Sequence, residues 1–64
     1  MITEIMIKTT DNSLHYIKRV ESYSYDRDFI RVHSISEINE KVVDLFPTDK
    51  IVSLRITKWG ENNA

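Results

Sequence analysis

At 64 residues and without cysteine, the chain is one domain near the lower limit for independent folding, with neither disulfide nor thiolate-metal staples, so partner surface is expected to contribute. Hydrophobic residues at 41% and charged residues at 30% are ordinary for a globular protein, and no window approaches the roughly 18 apolar residues of a membrane span. A formal net charge of −1 excludes both the simplest polycation that grips nucleic acid and the simplest polyanion that imitates it.

Met1 to Thr10 alternates apolar and polar residues rather than joining a basic segment to an apolar core, so no secretory signal is expected and the setting is taken as cytoplasmic. Ile5 and Ile7 fall on one face, Glu4, Met6 and Lys8 on the other, as in a half-buried strand. Asp11 and Asn12 tolerate positive φ, so TTDNSL is expected to be a hairpin turn. A second strand starts at Ser13 or Leu14. Leu14 and Tyr16 share one face there, and His15, Ile17 and Arg19 the other; both sets hold large apolar groups, so the pattern leaves open which one is buried.

VESYSY, residues 20–25, shifts phase between Val20 and the pair Tyr23 and Tyr25, which a bulge or bend near Glu21 would reconcile. Asp26, Arg27 and Asp28 form a polar turn. Phe29 to His33 returns as a strand with Ile30 and Val32 on one side.

Ser34 to Pro47, SISEINEKVVDLFP, is expected to be the helix around which the chain is organised. Ser34 and Glu37 stand in capping-box spacing. Ile35, Ile38, Val42 and Leu45 recur at helical intervals, and Pro47 supplies the stop. The alternative makes Lys41 to Phe46 a strand, because Val42 and Val43 are β-branched and the run is short; the chain would then be a five-stranded SH3-like barrel. Ile51 to Lys58 is the clearest strand, with Val52, Leu54 and Ile56 inward, and Gly60 to Ala64 is expected to be a loose tail.

The expected fold is therefore α+β in the order β-β-β-α-β, with about four antiparallel strands and one helix across one face. Residues 1–59 form the domain and 60–64 the tail. The uncovered face would present Met6, Arg31, His33, Arg55, Ile17 and Trp59, as a binding face or the seam of a two-fold homodimer.

Reactive groups are sparse. His15 and His33 lack metal-ligand spacing, Asp26 and Asp28 flank an arginine in a turn, and one glycine makes no phosphate cradle. No catalysis, cofactor or metal is expected. A protein-binding role through Glu37, Ile38, Glu40, Asp44 and Phe46 suits a small two-layer domain with an acidic helix. The alternative is a nucleic-acid face of Arg31, His33, Arg55 and Trp59, joined by Tyr23, Tyr25 and Lys18 or Arg19, where cations and stacking rings would hold a single strand.

Three stretches carry a resemblance to a known family: the Asp11-Asn12 hairpin with the following Tyr16, the run Ser34-Ile35-Ser36-Glu37, and Asp49 to Ile56. Together they cover about half the chain, and they resemble the small uracil-DNA glycosylase inhibitors of some phages. The resemblance implies a dimer that imitates DNA and occludes a host nucleic-acid enzyme, uracil-DNA glycosylase. Glu37, Glu40 and Asp44 would then stand in for phosphates, and Ile38 or Phe46 would lie near a pocket for an apolar residue of the enzyme.

Overall fold

A computed structural model describes residues 2–59; the tail expected at 60–64 lies outside the described residues. Six strands fold in chain order: β1 (Ile2–Thr9), β2 (Leu14–Ile17), β3 (Val20–Tyr25), β4 (Phe29–Ile35), β5 (Lys41–Pro47) and β6 (Ile51–Trp59). A single 3-10 turn, Thr48–Lys50, joins the last two. The strands make two antiparallel three-stranded sheets, ordered β2-β1-β6 and β3-β4-β5.

This overturns the α+β expectation, because the segment proposed as a helix is the last two residues of β4, a tight turn and β5. Ser34 is an interior residue of β4, 6% exposed and set opposite Val20 and Val42. Asn39 holds a left-handed backbone at φ 62°, its N–H donates to the Ser36 carbonyl, and the Ser36 N–H donates across to the Glu40 carbonyl at 2.8 Å. A type I turn followed by a left-handed residue closes a three-residue hairpin loop and ends any helical run. Along β5, Val42, Asp44 and Phe46 are half-buried while Lys41, Val43, Leu45 and Pro47 are exposed, which is a period of two.

The Asp11-Asn12 turn forms as expected and by the same device. Asn12 sits at φ 68°, its N–H donates to the Thr9 carbonyl, and the Thr9 N–H donates to the Ser13 carbonyl at 3.0 Å. The expected bulge at Glu21 is present, since Val20 faces Ser34 while Ser22 already faces His33. Between β2 and β3 the chain passes from one sheet to the other at Lys18 and Arg19, the latter left-handed at φ 58°. With β2 and β3 counted as one bent strand that crosses between the sheets, the described residues form five strands.

The core lies between the sheets. Ile5, Ile7 and Ile17 from the first sheet meet Val20 and Val32 from the second, with Tyr23, Ile30, Phe46, Ile51 and Ile56 packed around them. His15 and Ile17 therefore form the inward set of β2, so Ile17 belongs to the core and not to an uncovered face. Val52, expected inward, is 59% exposed because the β1–β6 register shifts beside it: Lys8 faces Ser53 but Thr9 faces Ile51.

Candidate functional site

Two turns frame the surface at the end of the second sheet. The Asp26 carboxylate accepts from the N–H groups of Asp28 at 2.8 Å and Phe29 at 2.9 Å, and from Arg31 at 3.2 Å. The Phe29 N–H first, then that of Asp28, holds its carboxyl below the ordinary range, and Arg31 adds to the effect. Thr48 ties the 3-10 turn to this hairpin, its hydroxyl donating to the Arg27 carbonyl and its N–H to that of Asp28. Asp26 is thus a turn clamp, with one carboxylate oxygen taken by the backbone and the other by Arg31.

The two sheets meet differently along their two seams. Between β2 and β5 the His15 and Phe46 rings pack edge to face, with centroids 5.2 Å apart and planes at 63°. Between β3 and β6 a cleft of about 370 Å³ stays open, lined by Ile5, Tyr23, Tyr25, Ile30, Leu54 and Ile56. Register explains this lining: Tyr25 lies opposite Ile30, and Ile5 opposite Ile56, all on inward-facing positions. Apart from the tyrosine hydroxyls, no polar side chain among the described residues lines it. Tyr25 is nevertheless 76% exposed, and the Lys58 Nζ stands 5.8 Å from the Tyr23 ring centroid, placing a cation at the rim.

The residues expected to dock a partner divide between two places. Glu37, Ile38 and Glu40 share the β4–β5 hairpin loop, where Ile38 is 74% exposed between two carboxylates. Asp44 and Phe46 lie on the inward side of β5: Asp44 opposite Val32, and Phe46 opposite Ile30 and against the core. No helix aligns these five side chains. Glu37 and Asp44 do share the margin of a second, more open cleft of about 440 Å³, together with Lys18 and Arg19. Its charges are of both signs.

The alternative nucleic-acid set is also split. Arg31 and His33 lie on the outer face of the second sheet, beside Leu45 and Val43. Arg55 and Trp59 belong to β6, in the first sheet, so the four residues do not form one surface. A shorter row replaces them on the first sheet, where Tyr16, Met6 and Arg55 face one another across β2, β1 and β6.

The β3–β6 cleft was not foreseen as a unit. Its signal was the alternation of Ser22 and Ser24 with Tyr23 and Tyr25, which turns both rings inward while small hydroxyls face out. What could not be read locally was that β6 returns beside β3. Among the described residues, no three His, Cys, Asp or Glu side chains come together, and no helix is long and apolar enough to cross a membrane. No family model matches the chain, and neither the curated proteins nor the solved structures yield a match.

Proposed function

We propose that the chain is a small non-catalytic protein-binding module, and that the cleft between β3 and β6 is its docking site. The observation that carries this reading is an aromatic ring left 76% exposed at the mouth of an apolar cleft between two sheets. Apolar pockets with exposed aromatic anchors are where interface energy concentrates. A cysteine-free chain suits a reducing, cytoplasmic setting.

A photo-reactive phenylalanine analogue at position 25 tests this reading, with the same analogue at position 38 as the comparison. A partner cross-linked from position 25, and lost in Leu54→Arg, supports the cleft. A partner cross-linked only from position 38 moves the site to the hairpin tip. An inhibitor role against a host nucleic-acid enzyme such as uracil-DNA glycosylase would rest on that tip. The signature of such a role is inhibition of the glycosylase that Ile38→Arg and Glu40→Lys abolish.

A second reading has one observation in its favour, the row of Tyr16, Met6 and Arg55 with Lys8 alongside on the outer face of the first sheet. A ring and cations on one sheet face suit a single-stranded nucleic acid. Anisotropy of a labelled oligonucleotide at low salt tests it: binding weakened by Arg55→Glu and by added salt supports it, and an unchanged anisotropy rejects it.

A further inference from the structure

Resting on the docking reading above, we propose that the cleft is filled by an acidic extended peptide segment. It adds as a strand to the free edge of β6 and sets an aliphatic side chain between Tyr25 and Leu54. β6 spans nine residues and pairs only with β1 among the described strands, so the N–H and C=O groups along its other edge have no strand partner. Such an edge accepts an added strand through backbone hydrogen bonds, while alternate side chains of the newcomer decide specificity.

The newcomer's alternation matches what β6 offers. One set of side chains would face the cleft beside Leu54 and Ile56, and the other would face outward on the side of Arg55. The edge of β3, across the cleft, is the poorer template because it is shorter, interrupted by the bulge at Glu21, and carries that acid.

Charge selects the sign of the segment. Residues 50–59 hold Lys50, Arg55 and Lys58 and no acid. Among the described residues, the nearest acids along this strand are Asp49, in the preceding turn, and Glu4, opposite Thr57 on the outer face of the sheet; in the sequence Glu61 follows two residues after Trp59. Lys58 is at the rim, over Tyr23. Carboxylates flanking the buried side chain would therefore meet cations, and lysines would be repelled. The same charges disfavour a second copy of this chain as occupant, since residues 50–59 of that copy bring no acid to meet Lys50, Arg55 and Lys58.

The test titrates the isotope-labelled full chain with two short capped peptides, one alternating glutamate with valine and isoleucine, the other with lysine in place of glutamate, followed by amide chemical shifts. The expected result is perturbation of the β6 amides and Tyr25 by the acidic peptide, with the lysine peptide at least about ten-fold weaker and Arg55→Glu erasing that preference. Equal binding of the two peptides, shifts confined to another surface, or no shifts at millimolar peptide each overturn the proposal. Should both peptides fail while the position-25 cross-link still captures a Leu54-dependent partner, the strand-addition inference falls and the docking reading stands. Should both experiments fail, both fall.

Discussion

Asn12 and Asn39 hold the left-handed backbone that closes the hairpins β1–β2 and β4–β5, at φ 68° and 62°. Asparagine reaches this region more easily than other residues with a β-carbon, and glycine more easily still. Asn39→Gly is therefore expected to leave stability within about 1 kcal/mol, whereas Asn39→Val is expected to lower it by about 1–2 kcal/mol, measured by urea unfolding. Arg19, at φ 58°, bears the same constraint at the corner between the sheets, with a longer side chain and no local hydrogen-bonding advantage. Arg19→Gly is expected to raise the urea midpoint, and a fall would show that its side chain contributes more than its backbone costs.

Asp11 makes the first hairpin sensitive to acid. Its carboxylate accepts the Thr9 hydroxyl at 2.6 Å and the Ser13 N–H at 3.1 Å, and these bonds, the Thr9 one foremost, draw its pKa from 3.8 to about 2. A pKa lowered by folding stabilises the folded state at every pH above the unfolded value. That contribution is lost as pH falls from about 4 toward 2. Unfolding followed through this window is expected to show a downward slope that Asp11→Ala reduces; an identical slope in the variant would place the acid sensitivity at other carboxylates, Asp26 first among them.

At the scale of elements, the strands whose burial alternates cleanly were legible and the one hairpin with an ambiguous period was not. Ile5 with Ile7, and Ile30 with Val32, stand inward as their alternation requires. The segment from Ser34 to Pro47 satisfied two templates at once. Ile35, Ile38, Val42 and Leu45 fit a helix, yet Ile38 and Leu45 are exposed at 74% and 54%, so the stripe they would have formed does not exist. The deciding residue was Asn39, whose turn chemistry repeats that of Asn12 and was readable by the same rule. The docking cleft was less legible, because its lining comes from β1, β3, β4 and β6 and depends on β6 pairing with β1 across most of the chain.

The inward alternation of β1 also fixes how little redundancy the core has. Ile7 is fully buried and faces His15 on one side and Leu54 on the other. Ile7→Ala removes buried methyl groups and leaves a cavity, an expected loss of about 2–5 kcal/mol. Total stability for a chain of this size is on the order of 3–10 kcal/mol, so the variant should unfold at a much lower urea midpoint, and at the lower end of that range it loses its dispersed amide spectrum at room temperature. An unchanged midpoint would mean that the sheets close over the gap.

At the scale of the whole molecule, two sheets share one interior but their two seams do different work. His15 and Phe46 close one end of the β2–β5 seam with rings in contact, its other end holding the charged cleft beside Lys18 and Asp44, whereas the β3–β6 seam is lined by apolar groups and leaves Tyr25 to the solvent. Stability and docking should therefore separate by seam. Phe46→Ala strips a half-buried ring from the core margin and is expected to cost about 2–4 kcal/mol. Tyr25→Ala removes a ring that the folded chain hardly buries and should shift stability by no more than about 0.5 kcal/mol, while it weakens partner capture at the cleft. Calorimetry of the two variants beside the cross-linking assay decides the matter. If Tyr25→Ala destabilises as much as Phe46→Ala, the open seam is part of the core and the docking surface must be sought elsewhere. If it leaves the melting temperature unchanged and removes the partner, the exposed ring serves the partner and not the fold.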